Sequence, residues 1–98
     1  MRLISQDGMI DVPYEISALS IGRIGESATI YVRSKLLDEK PCVFATYSNT
    51  DKALKVMEML RSQYQRIWEI ENGFITPGII NNHIFVFPQD EEIEVQDE

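Results

Sequence analysis

An α+β domain is what this chain predicts, a small antiparallel sheet of hairpins with one amphipathic helix packed on one face. Three observations carry that expectation. Two strand–turn–strand patterns open the chain, one long stretch of helical periodicity follows them, and a β-branched and aromatic run comes before an acidic end.

The first hairpin is read from residues 2–6 and 9–12, which flank Asp7-Gly8. A glycine after an aspartate tolerates the left-handed backbone of a two-residue type I′ turn. Pro13 has no N–H to give to a ladder, so pairing should stop there or lie on an edge. The second hairpin spans 16–33, with its turn supplied by residues 22–27. Its second arm, Ala28-Thr29-Ile30-Tyr31-Val32, has the β-branched and aromatic enrichment of a strand. Residues 35–40 form a polar connection, and after Pro41 the run 42–47 again reads as a strand.

The helix is the clearest element, expected over 49–70. Ala53, Val56, Met57, Leu60, Tyr64, Ile67 and Trp68 fall within an arc of about 120° at 100° per residue, the width of a core-facing stripe. Ser48 with Asp51 three positions on resembles a capping box, and Thr50 competes as the cap. Asn72-Gly73 offers a stop. Beyond it come 74–76, turns at Pro77-Gly78 and Asn81-Asn82, and a strand over 83–87. The apolar residues on both faces of that last run predict a central or helix-covered strand, ended by Pro88.

Charge divides the chain into a domain over 1–89 and an acidic tail over 90–98. The net charge is −7. Six acids and no base lie within 90–98, which leaves ten acids against nine bases in the rest, a net −1. Two isolated apolar residues in that tail predict a solvated arm. Such an arm can keep a protein soluble or steer its encounter with a basic surface. Nucleic acid is not favoured as a partner, because phosphate binding draws on concentrated positive charge. Apolar stretches of only a few residues fall far short of a membrane span, and the opening lacks the apolar core of a secretory signal. With a single cysteine, Cys42, the cytoplasm is the expected compartment.

Chemistry is scarce. His83 is the only histidine, so metal sites and acid–base pairs built on two histidines do not arise, and no metal or cofactor is expected. Cys42 follows Pro41 in an apolar run, where a buried structural thiol is the ordinary outcome. Gly22-Arg23-Ile24-Gly25 has the G-x-x-G spacing of a nucleic-acid clamp that joins two helices, but here it lies between strand-like runs. One flank of the helix gathers Lys52, Lys55 and Arg66 with Met59 and Gln63, away from Asp51, Glu58 and Glu69. That flank, together with Asp90, Glu91, Glu92 and Glu94 of the tail, is the candidate interaction surface, with Met59 as an adaptable apolar contact.

Residues 2–8 and 10–15, Ala45-Thr46-Tyr47-Ser48 leading into Lys52-Ala53 and Met57-Glu58-Met59-Leu60, and Phe85-Val86-Phe87-Pro88 before acids resemble a family of short proteins. That family occurs in phages, prophages and mobile elements of low-GC Gram-positive bacteria. The resemblance implies an accessory gene carried on mobile DNA and assigns no residue a role. The expected function is a non-enzymatic interaction protein whose partner is a host or phage macromolecule, most simply a protein, with inhibition of a host defence system as one form. The alternatives are a binder of a small nucleotide-like ligand and a phage structural or assembly accessory.

Overall fold

The computed structural model describes residues 1–38, 40–71 and 84–94, and the side chains of all of these except 66–71. The fold is α+β. Its strands are β1 (Arg2–Ile4), β2 (Asp11–Pro13), β3 (Ser17–Ile24), β4 (Ser27–Ser34), β5 (Cys42–Tyr47) and β6 (Ile84–Val86), with helix α1 (Thr50–Glu71) between β5 and β6. The hairpins do not share one sheet. They divide between two three-stranded sheets ordered β2-β1-β6 and β3-β4-β5, and β1 runs parallel to β6. The two sheets and the helix close on a single core.

Each hairpin turn departs from its expected form for a local reason. Gly8 is left-handed at φ 76°, but Asp7 is not, so the paired positive φ values of a type I′ turn are absent. Residues 6–9 form a wider loop instead. Gly8 N–H donates to Ser5 C=O, and Ser5 N–H donates to Ile10 C=O. The buried Ser5 hydroxyl donates to Asp7 Oδ1 at 2.6 Å and accepts Ile10 N–H at 3.0 Å. The Ser5 hydroxyl, and after it the Met9 N–H, holds the Asp7 carboxyl below its ordinary range. In the second hairpin the turn is narrower than 22–27. Ile24 pairs with Ser27, and left-handed Gly25 (φ 62°) takes the first central position, as a type II′ turn requires.

Gly22 thus belongs to β3. A Cβ there would stand 2.6 Å from Cε2 of Tyr31, so its absence lets the Tyr31 ring lie across the strand.

On β4, Ala28, Ile30 and Val32 alternate into the core, as a strand with one covered face should. A register shift against β5 places both Phe44 and Ala45 inward, so the apolar character of 42–47 reflects a bulge. Cys42 is half-buried at the start of β5, more accessible than an apolar run implies.

Ala53, Val56 and Leu60 of α1 are buried in the expected phase, Met57 packs against the core, and Tyr64 meets the Tyr14 ring at 4.7 Å. The cap is neither Ser48 nor Thr50. Asn49 Oδ1 accepts Lys52 N–H at 2.8 Å, satisfying one of the donors a helix start leaves open. Asn49→Ala should therefore cost about 1 kcal/mol in a denaturant titration, within the range for lost caps.

Strand β6 buries Phe85 and exposes Ile84 and Val86, so it is covered on one face only. Phe87 beyond it is fully buried and meets Phe44 and Phe85 edge-on at 5.7 and 5.2 Å. The expectations for Ile67, Trp68, Asn72-Gly73, Pro77-Gly78, Asn81-Asn82 and His83 lie outside the described residues or side chains.

Candidate interaction surface

Residues 90–94 are not a free arm. Asp90–Glu92 form one 3₁₀ turn, and Ile93 after it is only 7% exposed and part of the core. Asp90 Oδ1 accepts the Ser48 N–H at 2.8 Å, just before the start of α1. Lys52 closes the contact from the first turn of the helix. Its ammonium donates to Asp90 C=O at 3.1 Å and stands 3.4 Å from Asp90 Oδ2. A carboxylate at a helix N-terminus also meets the positive end of the helix dipole, which is why an acidic segment seats there. The Ser48 N–H holds the Asp90 carboxyl below its ordinary value; burial opposes that shift, while the Ser48 and Lys52 side chains add to it.

The sign of the pH effect follows. A depressed carboxyl stabilises the fold above its unfolded value, and that contribution is lost as pH falls through the folded value. The melting advantage of wild type over Asp90→Asn should be complete at about pH 7 and should disappear as the pH falls below 3.8 toward the depressed folded value.

A polar seam holds the same region from the other side. The Gln6 amide donates to Thr46 C=O and Pro88 C=O and accepts the Thr46 N–H, so one side chain takes the place of a strand neighbour along β5. Gln89 Nε2 donates to Gln6 C=O at 2.8 Å, and Gln89 N–H donates to Glu92 Oε1 at 2.9 Å. The buried Tyr47 hydroxyl donates to Pro88 C=O at 2.8 Å. Burial first, and then the charges of Asp90 and Glu92, raise its pKa above the ordinary tyrosine value.

The candidate residues therefore separate into two groups. Lys52 and Asp90 hold each other, and Glu92 caps its own turn, while Glu91 and Glu94 are exposed. Lys55, Met59 and Gln63 come together along α1. With Glu58 and Ser62, and with Phe85 as the contribution from β6, they line an open groove of about 330 Å³. Met59 is 39% exposed on its wall. Gln63 Nε2 donates to Ile84 C=O at 2.9 Å, which ties the helix to β6 at the groove. Glu58 belongs with Lys55 because positions three apart are neighbours on a helix, so this flank is mixed in charge and not basic. The Arg66 side chain lies outside the described residues.

Sequence reasoning missed Phe85 as part of the groove, since nothing local announces that β6 runs beside α1. It also missed a second depression, of about 510 Å³, on the face of β3 and β4 turned away from α1, where Ala18, Ser20, Tyr31, Arg33 and Pro41 meet. Among the described residues, no three His, Cys, Asp or Glu side chains come together as a metal site would need, and no helix is long and apolar enough to cross a membrane. No family model, no curated protein and no solved structure matches this chain.

Proposed function

We propose that this protein is a non-enzymatic interaction module of a phage or mobile element. It acts in the cytoplasm by binding a host or phage protein, with inhibition of a host defence system as one form of that activity. The observation that carries the reading is the groove between α1 and β6. An adaptable methionine stands exposed on its wall, the largely buried Phe85 lines it from β6, and Lys55, Glu58 and Gln63 surround them with polar groups of both signs. An apolar contact with a polar rim is the anatomy of a protein-binding patch.

The nucleotide reading needs a basic flank beside a pocket. Lys52 is committed to Asp90 and Lys55 shares the groove with Glu58, which favours a protein over a phosphate-bearing ligand. Immobilised wild type and a Met59→Glu variant, each incubated with extract of a low-GC Gram-positive host, test the reading. A protein retained by wild type should be lost or weakened about tenfold or more in the variant, and the difference should persist with purified partner. Equal retention by both, or an ultraviolet-absorbing ligand that co-purifies instead, contradicts it.

A further inference from the structure

The outer edge of β3 stands apart from the other strand edges. Strand β2 is three residues long and ends on Pro13, and Gln6 occupies the edge of β5. By contrast β3 runs for eight residues without proline, carries no acid, and has Arg23 as its one charge. Among the described residues nothing pairs with its far side. Proteins ordinarily guard such an edge with short length, proline, a bulge or lysine.

The hairpin register says which groups point outward. Ile24 and Ser27 close a two-residue turn, so they form a hydrogen-bonded pair, and the pairs Gly22–Thr29, Ser20–Tyr31 and Ala18–Arg33 follow in step. The N–H and C=O groups of Leu19, Ile21 and Arg23 then face away from β4. The Ser17 N–H, which would extend the row, already donates to Tyr14 C=O.

We infer that the occupant of this edge is a second copy of the same chain, paired antiparallel β3 to β3 about a two-fold axis at Ile21. Ile21 faces its own counterpart and Leu19 faces Arg23 of the partner, which joins the outward groups in about six main-chain hydrogen bonds. Side-chain complementarity selects this register. It sets Ile24 opposite Ala18 on the face turned away from α1 and Ser20 opposite Gly22. Ile24 is 71% exposed in the single chain, and Ala18 lines the depression of about 510 Å³ beside Tyr31 and Arg33. Each copy places its exposed isoleucine against the other's small-residue surface, and the contact is isologous and closed. The product is a six-stranded sheet with both helices on one face, leaving the α1–β6 groove of each copy accessible.

Sedimentation equilibrium of the whole chain tests the oligomer and a designed disulfide tests the register. Wild type should sediment at twice its 11.3 kDa mass. Ile24→Asp, at the exposed hairpin tip, should sediment as a monomer with an unchanged circular dichroism spectrum. In a Cys42→Ser background, Ala18→Cys with Ile24→Cys should oxidise to a covalent dimer. The two sites lie about 20 Å apart along one strand and cannot bridge within a chain. A monomeric wild type at all concentrations, a dimer that survives Ile24→Asp, or absence of the covalent species overturns the inference.

Discussion

Leu60→Ala is expected to cost about 2–5 kcal/mol in a urea titration, the largest single-residue effect among the described side chains of the helix. Leu60 is 1% exposed and belongs to the one core to which both sheets contribute. Truncation removes the transfer energy of its branched side chain and leaves a cavity that a close-packed interior fills only in part. Leu54, on the same helix but half exposed, provides the control, and its alanine variant should change stability by less than about 1 kcal/mol. A Leu60→Ala loss below about 1 kcal/mol would contradict the phase of α1.

Deleting residues 90–98 should lower the melting temperature by more than about 10 °C, roughly 2 kcal/mol for a domain of this size. Three contacts are lost together: the burial of Ile93, the Ser48 N–H partner on Asp90, and the Lys52 ion pair. Burying an isoleucine alone stabilises by about 1.5–3 kcal/mol. Ile93→Ala should reproduce most of the deletion, whereas neutralising exposed Glu91 and Glu94 to amides should shift melting by no more than a degree or two. A truncated protein that melts like wild type would restore the solvated arm. The docked segment also changes what charge neutralisation can report. Converting Asp90 to an amide perturbs the start of α1, so of the acids in 90–94 only Glu91 and Glu94 can test electrostatic steering without altering a contact.

What was legible in the sequence was whatever repeats locally. The helix stripe is redundant, since Ala53, Val56 and Leu60 each report the same phase, so its extent matched the expected span closely even though its cap did not. The cap was ambiguous because Ser48, Asn49 and Thr50 all carry capping side chains, and the backbone before the helix is also tied to Asp90, which accepts the Ser48 N–H from 42 positions away. Long-range pairings of that kind left no local trace. The Gln6–Thr46 exchange and the β1–β6 pairing join distant segments through groups that look like ordinary loop and strand residues. The bulge at Phe44 hid for the opposite reason, because an apolar run on both faces reads as a fully covered strand.

In the acidic end, one isoleucine among carboxylates was outweighed by charge. The signal that could have found it was Ile93 following Gln89 and Glu92, whose three-residue spacing closes a turn beside the last buried aromatic. Of the interaction surface, the helical flank was visible as a row of residues on one side of α1. Its β6 contribution from Phe85 was not, and neither was the withdrawal of Lys52 into an internal ion pair.

Site-specific photocrosslinking tests the central claim most directly, that the groove between α1 and β6 meets a partner protein. A benzophenone amino acid replaces Met59 in one preparation and Met9 in another; Met9 is 81% exposed in the loop of the first hairpin and serves as the reference for nonspecific contact. Irradiated in extract of a low-GC Gram-positive host, the protein labelled at position 59 should give one discrete adduct with a heterologous protein, and the one labelled at position 9 should give none. Equal adducts at the two positions, or none at position 59, would contradict the account.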